Sequence, residues 1–135
     1  MAKGEYYTFN LWELRAGYQG RELEELTRLG IIPQYGLVEG VREIKLFRID
    51  EGNDAGKYLA VTVYESREAY NRWFTSTNTR EFQTWQFNLR PTLARWVEVG
   101  GQVSSYRATL QLDHSYRTED DLPPLPPITG PNIVF

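Results

Sequence analysis

The chain has 135 residues, with 15 basic and 18 acidic side chains for a net charge of −3, and no cysteine. That length suits one domain with a core of its own. The missing thiols exclude disulfides, thiolate metal centres, iron–sulfur clusters and cysteine nucleophiles. They also fit a reducing cytoplasm, which is the expected location. Lys and Arg are scattered under a net negative charge, which argues against a nucleic-acid partner, since such partners require a basic face. No apolar run approaches the roughly 20 residues of a membrane helix. No basic-then-apolar leader precedes the first strand, so neither a membrane nor an export signal is expected.

Aromatic content is high, with four Trp, nine Tyr and six Phe. Such side chains bury large areas and line cavities for flat ligands, but they also fill cores and subunit interfaces. Residues 5–15 read as the first strand, rich in aromatic residues. Strand alternation puts Tyr7, Phe9 and Leu11 on one face and Thr8, Asn10, Trp12 and Leu14 on the other. Gly17 and Gly20 close it. A helix is expected from Arg21 to Leu29 on the spacing of Leu23, Leu26 and Leu29, with Gly30 as its left-handed stop and residues 31–36 as a connector.

Second and third strands are expected over Val41–Ile49 and Lys57–Tyr64, joined by the polar hairpin loop of residues 50–56. Both carry apolar residues in both phases, so both faces of the sheet need covering. Helices suffice for one face, and a second copy of the chain is the economical cover for the other. Ser66 is placed to cap a second helix carrying Ala69, Tyr70, Trp73 and Phe74 at helical spacing. After a soft break at 76–79, a further helix from Arg80 to Leu89 aligns Phe82, Trp85, Gln86 and Leu89. Pro91 is expected to kink it or restart it at Leu93–Trp96, before Gly100-Gly101.

The last strand is expected from Val103 to about His114, with Ser105 and Arg107 facing opposite to Tyr106 and Ala108. The order β-α-β-β-α-β predicts an α+β, ferredoxin-like domain over residues 1–116, with both helical layers on one face of a four-stranded antiparallel sheet. Residues 117–135 are expected to be a separate proline-rich tail, either disordered or a polyproline-like arm, since Leu122–Pro131 cannot be helix or central strand. Its interleaved Leu122, Leu125, Ile128, Ile133, Val134 and Phe135 suggest an arm packed across the dimer. A proline-rich ligand for an SH3-type partner is the other reading.

The usual catalytic sets are missing. The single histidine, His114, cannot build a multi-histidine metal site, and no metal is expected. There is no phosphate-binding loop, dinucleotide glycine fingerprint or nucleophile elbow. What remains is Asn10, beside Thr8 and Trp12, with Trp73 on the helix that packs over that face. An Asn amide can both donate to and accept from a substrate oxygen. The plainer reading makes Asn10 a structural hydrogen-bonder and Trp73 core.

Two segments carry a resemblance to a known family. Asn10-Leu-Trp-Glu-Leu-Arg-Ala-Gly17 resembles the first strand of haem-degrading monooxygenases, where an Asn precedes a Gly by seven residues. Ser66-Arg-Glu-Ala-Tyr-Asn-Arg-Trp73, following the Tyr58–Tyr64 strand, resembles the S-x-x-A-[FY]-x-x-W helix of the antibiotic biosynthesis monooxygenase superfamily. That superfamily also holds cofactor-free, quinone-forming monooxygenases. The likeness follows element order over residues 5–112 and implies a dimeric α+β barrel.

The resemblance places Asn10 and Trp73 on the family's pocket Asn and Trp. Where haem-degrading members carry an axial histidine, this chain has Gln86, or Trp85 with a one-residue slip, and neither is a normal haem ligand. A fainter likeness to polyketide cyclases runs through Gly40–Phe47 and Leu89–Leu93. The expected function is therefore a cofactor-independent monooxygenase acting on an aromatic or polyketide-type substrate. Asn10, Trp73 and Tyr70 are its expected catalytic residues, and Trp12, Trp85, Gln86 and Phe82 line the substrate site. A cyclase or isomerase in the same pocket and a non-enzymatic, ligand-binding dimer are the alternatives.

Overall fold

The computed structural model describes residues 4–75, 80–115 and 124–125. The 117–135 tail, apart from Pro124 and Leu125, and the expected break at 76–79 therefore lie outside the described residues. The described elements are β1 (Tyr6–Leu14), α1 (Gly20–Leu26), a π-helical turn (Thr27–Ile31), α2 (Ile32–Tyr35), β2 (Val41–Arg48), β3 (Tyr58–Tyr64), α3 (Arg67–Thr75), α4 (Arg80–Val99) and β4 (Gly100–Thr109). The sheet is antiparallel in the order β2-β3-β1-β4, the expected ferredoxin-like arrangement. No described helix is long and apolar enough to cross a membrane.

Cross-strand register fixes what each face carries. Asn10 pairs with Ala60 on β3 and Ser105 on β4, and Thr8 pairs with Thr62 and Arg107. These residues share the helix-covered face with Tyr6, Trp12, Tyr58 and Tyr64, which join Leu23, Ile31, Trp73, Trp96 and Val99 in the buried core. A bulge between Leu11 and Trp12 sets Trp12 against Gln102 after Leu11 has paired with Ser104. The opposite phase carries Tyr7 and Phe9, whose rings stack at 5.8 Å, beside Val61 and Val63. No described helix covers that face, and Phe47 and Tyr106 remain 49% and 64% exposed.

The first helical layer departs from expectation. Gly30 does not end the helix, which widens into a π turn and continues through Pro33 to Tyr35. The reason is tertiary. A Cβ on Gly30 would lie 2.5 Å from Thr92 Cγ2 on α4, so this glycine permits close helix–helix approach and does not serve as a left-handed stop. Pro33 sits in the first turn of α2, where its missing N–H is tolerated. Ser66 caps as expected, its Oγ accepting from Ala69 N–H at 3.0 Å. α4 runs unbroken through Pro91 from Arg80 to Val99. β4 starts three residues earlier than expected and ends at Thr109, so His114 lies beyond the strand and is exposed.

Gly40, which leads into β2, has φ +93 and room for no side chain, since a Cβ would lie 2.8 Å from Ala69 Cβ. Gly40→Ala combines a left-handed residue with a backbone-anchored clash, so it is expected to cost about 2–3 kcal/mol. Urea unfolding is the measurement. A midpoint equal to wild type would mean the turn adapts freely.

Candidate functional site

A cleft of about 230 Å³ lies between the helix-covered sheet face and the helices. That is below the roughly 300–1,000 Å³ typical of pockets for drug-sized ligands, so it suits a small molecule. Its floor comes from alternate residues of the strands: Thr8 and Asn10 on β1, Thr62 and Tyr64 on β3, Ser105 and Arg107 on β4. Its roof comes from Thr27, Ile31 and Tyr35 on the first helical layer, Tyr70 on α3, and Leu93 and Trp96 on α4.

On the floor, Ser105 Oγ donates to Asn10 Oδ1 at 2.7 Å. This orients the amide, because the carbonyl side is taken by serine and the NH₂ is left as a donor. Among the described residues that NH₂ has no protein partner. At the rim, Arg107 Nη1 donates to the Tyr70 hydroxyl at 3.3 Å, and the guanidinium carbon stands 5.9 Å from the Tyr70 ring centroid. Arg107 is therefore a fixed cation at an aromatic edge, and the hydrogen bond holds its pKa further up.

The roof is anchored through polar contacts. Trp96 Nε1 donates to Thr27 Oγ1 at 3.1 Å, and Thr27 Oγ1 donates to the Leu23 carbonyl at 2.7 Å. The Trp96 indole is thereby held at the cavity, with Trp12 packed behind it at 4.2 Å between centroids. Tyr64 and Tyr70 meet edge to face at 5.1 Å. Burial pushes the Tyr35 and Tyr64 phenols up, reinforced by neighbouring tyrosines, so both stay protonated at neutral pH.

Of the expected site residues, Asn10 and Tyr70 line the cleft. Trp73 and Trp12 are buried one layer back, Trp73 against Tyr35 at 6.1 Å, and neither is part of the lining. Phe82, Trp85 and Gln86 lie on α4, but their side chains are outside the described residues. Sequence reasoning missed Trp96, Tyr35, Tyr64, Ser105 and Arg107. The phase of Ser105 and Arg107 was visible in the alternation of β4; the pairing that sets Ser105 beside Asn10 was not. His114 does not reach the cleft, and no group of three His, Asp, Glu or Cys that could hold a metal occurs among the described residues. A haem held by this histidine does not fit the site.

The family model for antibiotic biosynthesis monooxygenases matches residues 6–85. Among solved structures, a candidate antibiotic biosynthesis monooxygenase from Chloroflexus aurantiacus is 11% identical, covering 83% of this chain and 98% of its own, with a TM-score of 0.54. A heme-degrading protein from Mycobacterium tuberculosis is 18% identical, covering 84% and 99%, with a TM-score of 0.53. A candidate antibiotic biosynthesis monooxygenase from Bordetella bronchiseptica is 14% identical, covering 82% and 100%, with a TM-score of 0.53. At these identities the likeness to solved structures is one of fold. No curated protein matches the chain in sequence.

The buried phenols carry a pH signature. Tyr64 keeps its proton in the folded state above the ordinary value of 10.0, where the unfolded chain releases it. The native state then binds more protons than the unfolded one, so stability falls as pH rises above 10. The urea midpoint is expected to drop between pH 9 and 11, and the drop to shrink in Tyr64→Phe. An equal pH slope in both proteins would contradict this assignment.

Proposed function

The chain belongs to the antibiotic biosynthesis monooxygenase family, and on that premise we propose that its cleft is the active site of a cofactor-independent monooxygenase for a small, electron-rich aromatic or polyketide-type substrate. The observation that carries the reading is the Ser105-oriented Asn10 amide on the floor of a tyrosine- and tryptophan-walled cleft with Arg107 at its rim. An ionised dihydroquinone can itself supply electrons to O₂. The protein then needs to orient the ring, exclude water and stabilise negative charge on oxygen.

For 1,4-dihydroxynaphthalene the step balances without an added reductant. One proton leaves a phenol, the ring gives electrons to O₂, and a ring-carbon–oxygen bond forms to give a hydroperoxide. Cleavage of its O–O bond releases water and leaves a hydroxynaphthoquinone, with one atom of O₂ in the product. Asn10 donates to the developing oxyanion, and Arg107 offsets the charge of the ionised substrate. Tyr35, Trp96 and Tyr70 form the aromatic walls, backed by Trp73 and Trp12.

Oxygen uptake with 1,4-dihydroxynaphthalene, with no metal or cofactor added, tests the reading. Wild type is expected to exceed the spontaneous rate and to place ¹⁸O from ¹⁸O₂ in the product. Asn10→Ala is expected to lose about 100- to 1,000-fold, as when one oxyanion donor is removed. Uptake unaffected by the substitution would remove Asn10 from the chemistry. Substrate turnover without oxygen consumption would favour a cyclase or isomerase, and tight binding without turnover a ligand-binding dimer.

The sheet face that no described helix covers belongs to the same proposal. Tyr7, Phe9, Phe47 and Tyr106 form an aromatic surface that a second copy of the chain would bury. In sedimentation velocity the protein should run as a homodimer, and Phe9→Asp should shift it to monomer by placing a charge in that face. A monomer in the wild type would refute this assignment.

A further inference from the structure

The roof of the cleft contains one irregular element that the oxygenase reading leaves unexplained. In a regular α-helix four residues advance about 400°, so positions four apart drift by about 40° at each step. Thr27, Ile31 and Tyr35 are spaced by four, yet all three line the cleft. The π turn between them reconciles the two facts. Ile32 N–H donates to the Thr27 carbonyl, a bond across five residues, and this wider turn rotates less per residue and takes back the drift. Gly30 lies in the turn with Thr92 of α4 against it, at a distance no side chain would permit. Thr27 is tied on both sides, to Leu23 within its own helix and to Trp96 on α4.

The turn is thus pinned at both ends and presents Ile31 to the cavity with little freedom to retreat. Ile31 is 5% exposed, part of the core on one side and of the cleft wall on the other. A β-branched side chain there has few rotamers with which to yield. The cavity it lines is only about 230 Å³, so each apolar side chain of the wall takes a large share of the space open to a ligand.

We propose that the π turn is a size-selecting device, with Ile31 the residue that limits the site to ligands of one or two fused rings. This rests on the aromatic-substrate reading above, but not on the oxygen chemistry. Hydrophobic transfer alone favours the larger of two homologous aromatics, so a preference for the smaller one is the mark of a steric stop.

The test is equilibrium dialysis of the full chain against 2-naphthol and 2-hydroxyanthracene. Wild type should bind 2-naphthol the more tightly of the two. Ile31→Ala should shift the affinity ratio toward 2-hydroxyanthracene by about tenfold, equivalent to burying roughly two more carbons of ring. Ile31→Val, which removes one methyl and keeps the fold, should shift it the same way by about threefold. A wild type that prefers 2-hydroxyanthracene, or a ratio unmoved in both variants, overturns the inference. Binding of neither probe overturns the aromatic-site reading and the inference together. The predicted size preference alongside oxygen uptake no faster than the spontaneous rate would leave the inference standing and remove the oxygenase.

Discussion

Strand β1 runs through the middle of the sheet, bonded to β3 on one side and β4 on the other, and its phase decides which side chains the helices cover. Shifting the register of a strand by one residue exchanges its two faces. Here such a slip would carry Asn10 out of the cleft and bring Phe9 in. The apolar residues flanking Asn10 on the same face, Tyr6 and Trp12, are both buried and hold that phase in place. A polar floor is therefore stabilised by the aromatic residues at its two ends.

The roof obeys a different constraint. Helices packed fully against a sheet leave no cavity, because apolar side chains interdigitate to fill the space. Two features hold this layer in a shape that keeps one. The Trp96–Thr27–Leu23 chain of hydrogen bonds fixes a large indole across the gap between α4 and the first helix. The Gly30–Thr92 contact brings the same two helices together close by. The helices are thus joined to each other, and the space left beneath them over Thr8, Asn10 and Thr62 is lined with groups too polar to collapse without losing hydration.

Much of this was legible in the sequence. The alternation of β1, the hairpin at 50–56 and the Ser66 cap each rest on local rules that tertiary structure did not override. Asn10 and Tyr70 were readable as cleft residues because strand phase and the superfamily helix motif pointed to the same face. The stop at Gly30 was not legible, because that glycine answers to Thr92, 62 positions away in sequence. Neither was the partnership of Asn10 with Ser105, which depends on the pairing of the first and last strands and on the bulge at Leu11/Trp12. Tryptophan count alone could not separate Trp96, which lines the cleft, from Trp73 and Trp12, which stand behind it.

The chemistry of the lining narrows what a substrate must bring. Among the described lining residues there is no carboxylate and no imidazole, and the phenols of Tyr35 and Tyr64 are held in their protonated form. These groups donate hydrogen bonds well but accept a proton poorly. A reaction that begins with proton loss must therefore start from a molecule acidic enough to ionise with modest help. Arg107 at the rim is a positive charge that would lower the pKa of a phenol placed beside it. The same arrangement disfavours weakly acidic aliphatic substrates, which need a strong base within reach. Ile31 is apolar and Arg107 charged, so the proposed limits on ligand length and on ligand acidity come from different side chains of the lining and can be altered separately.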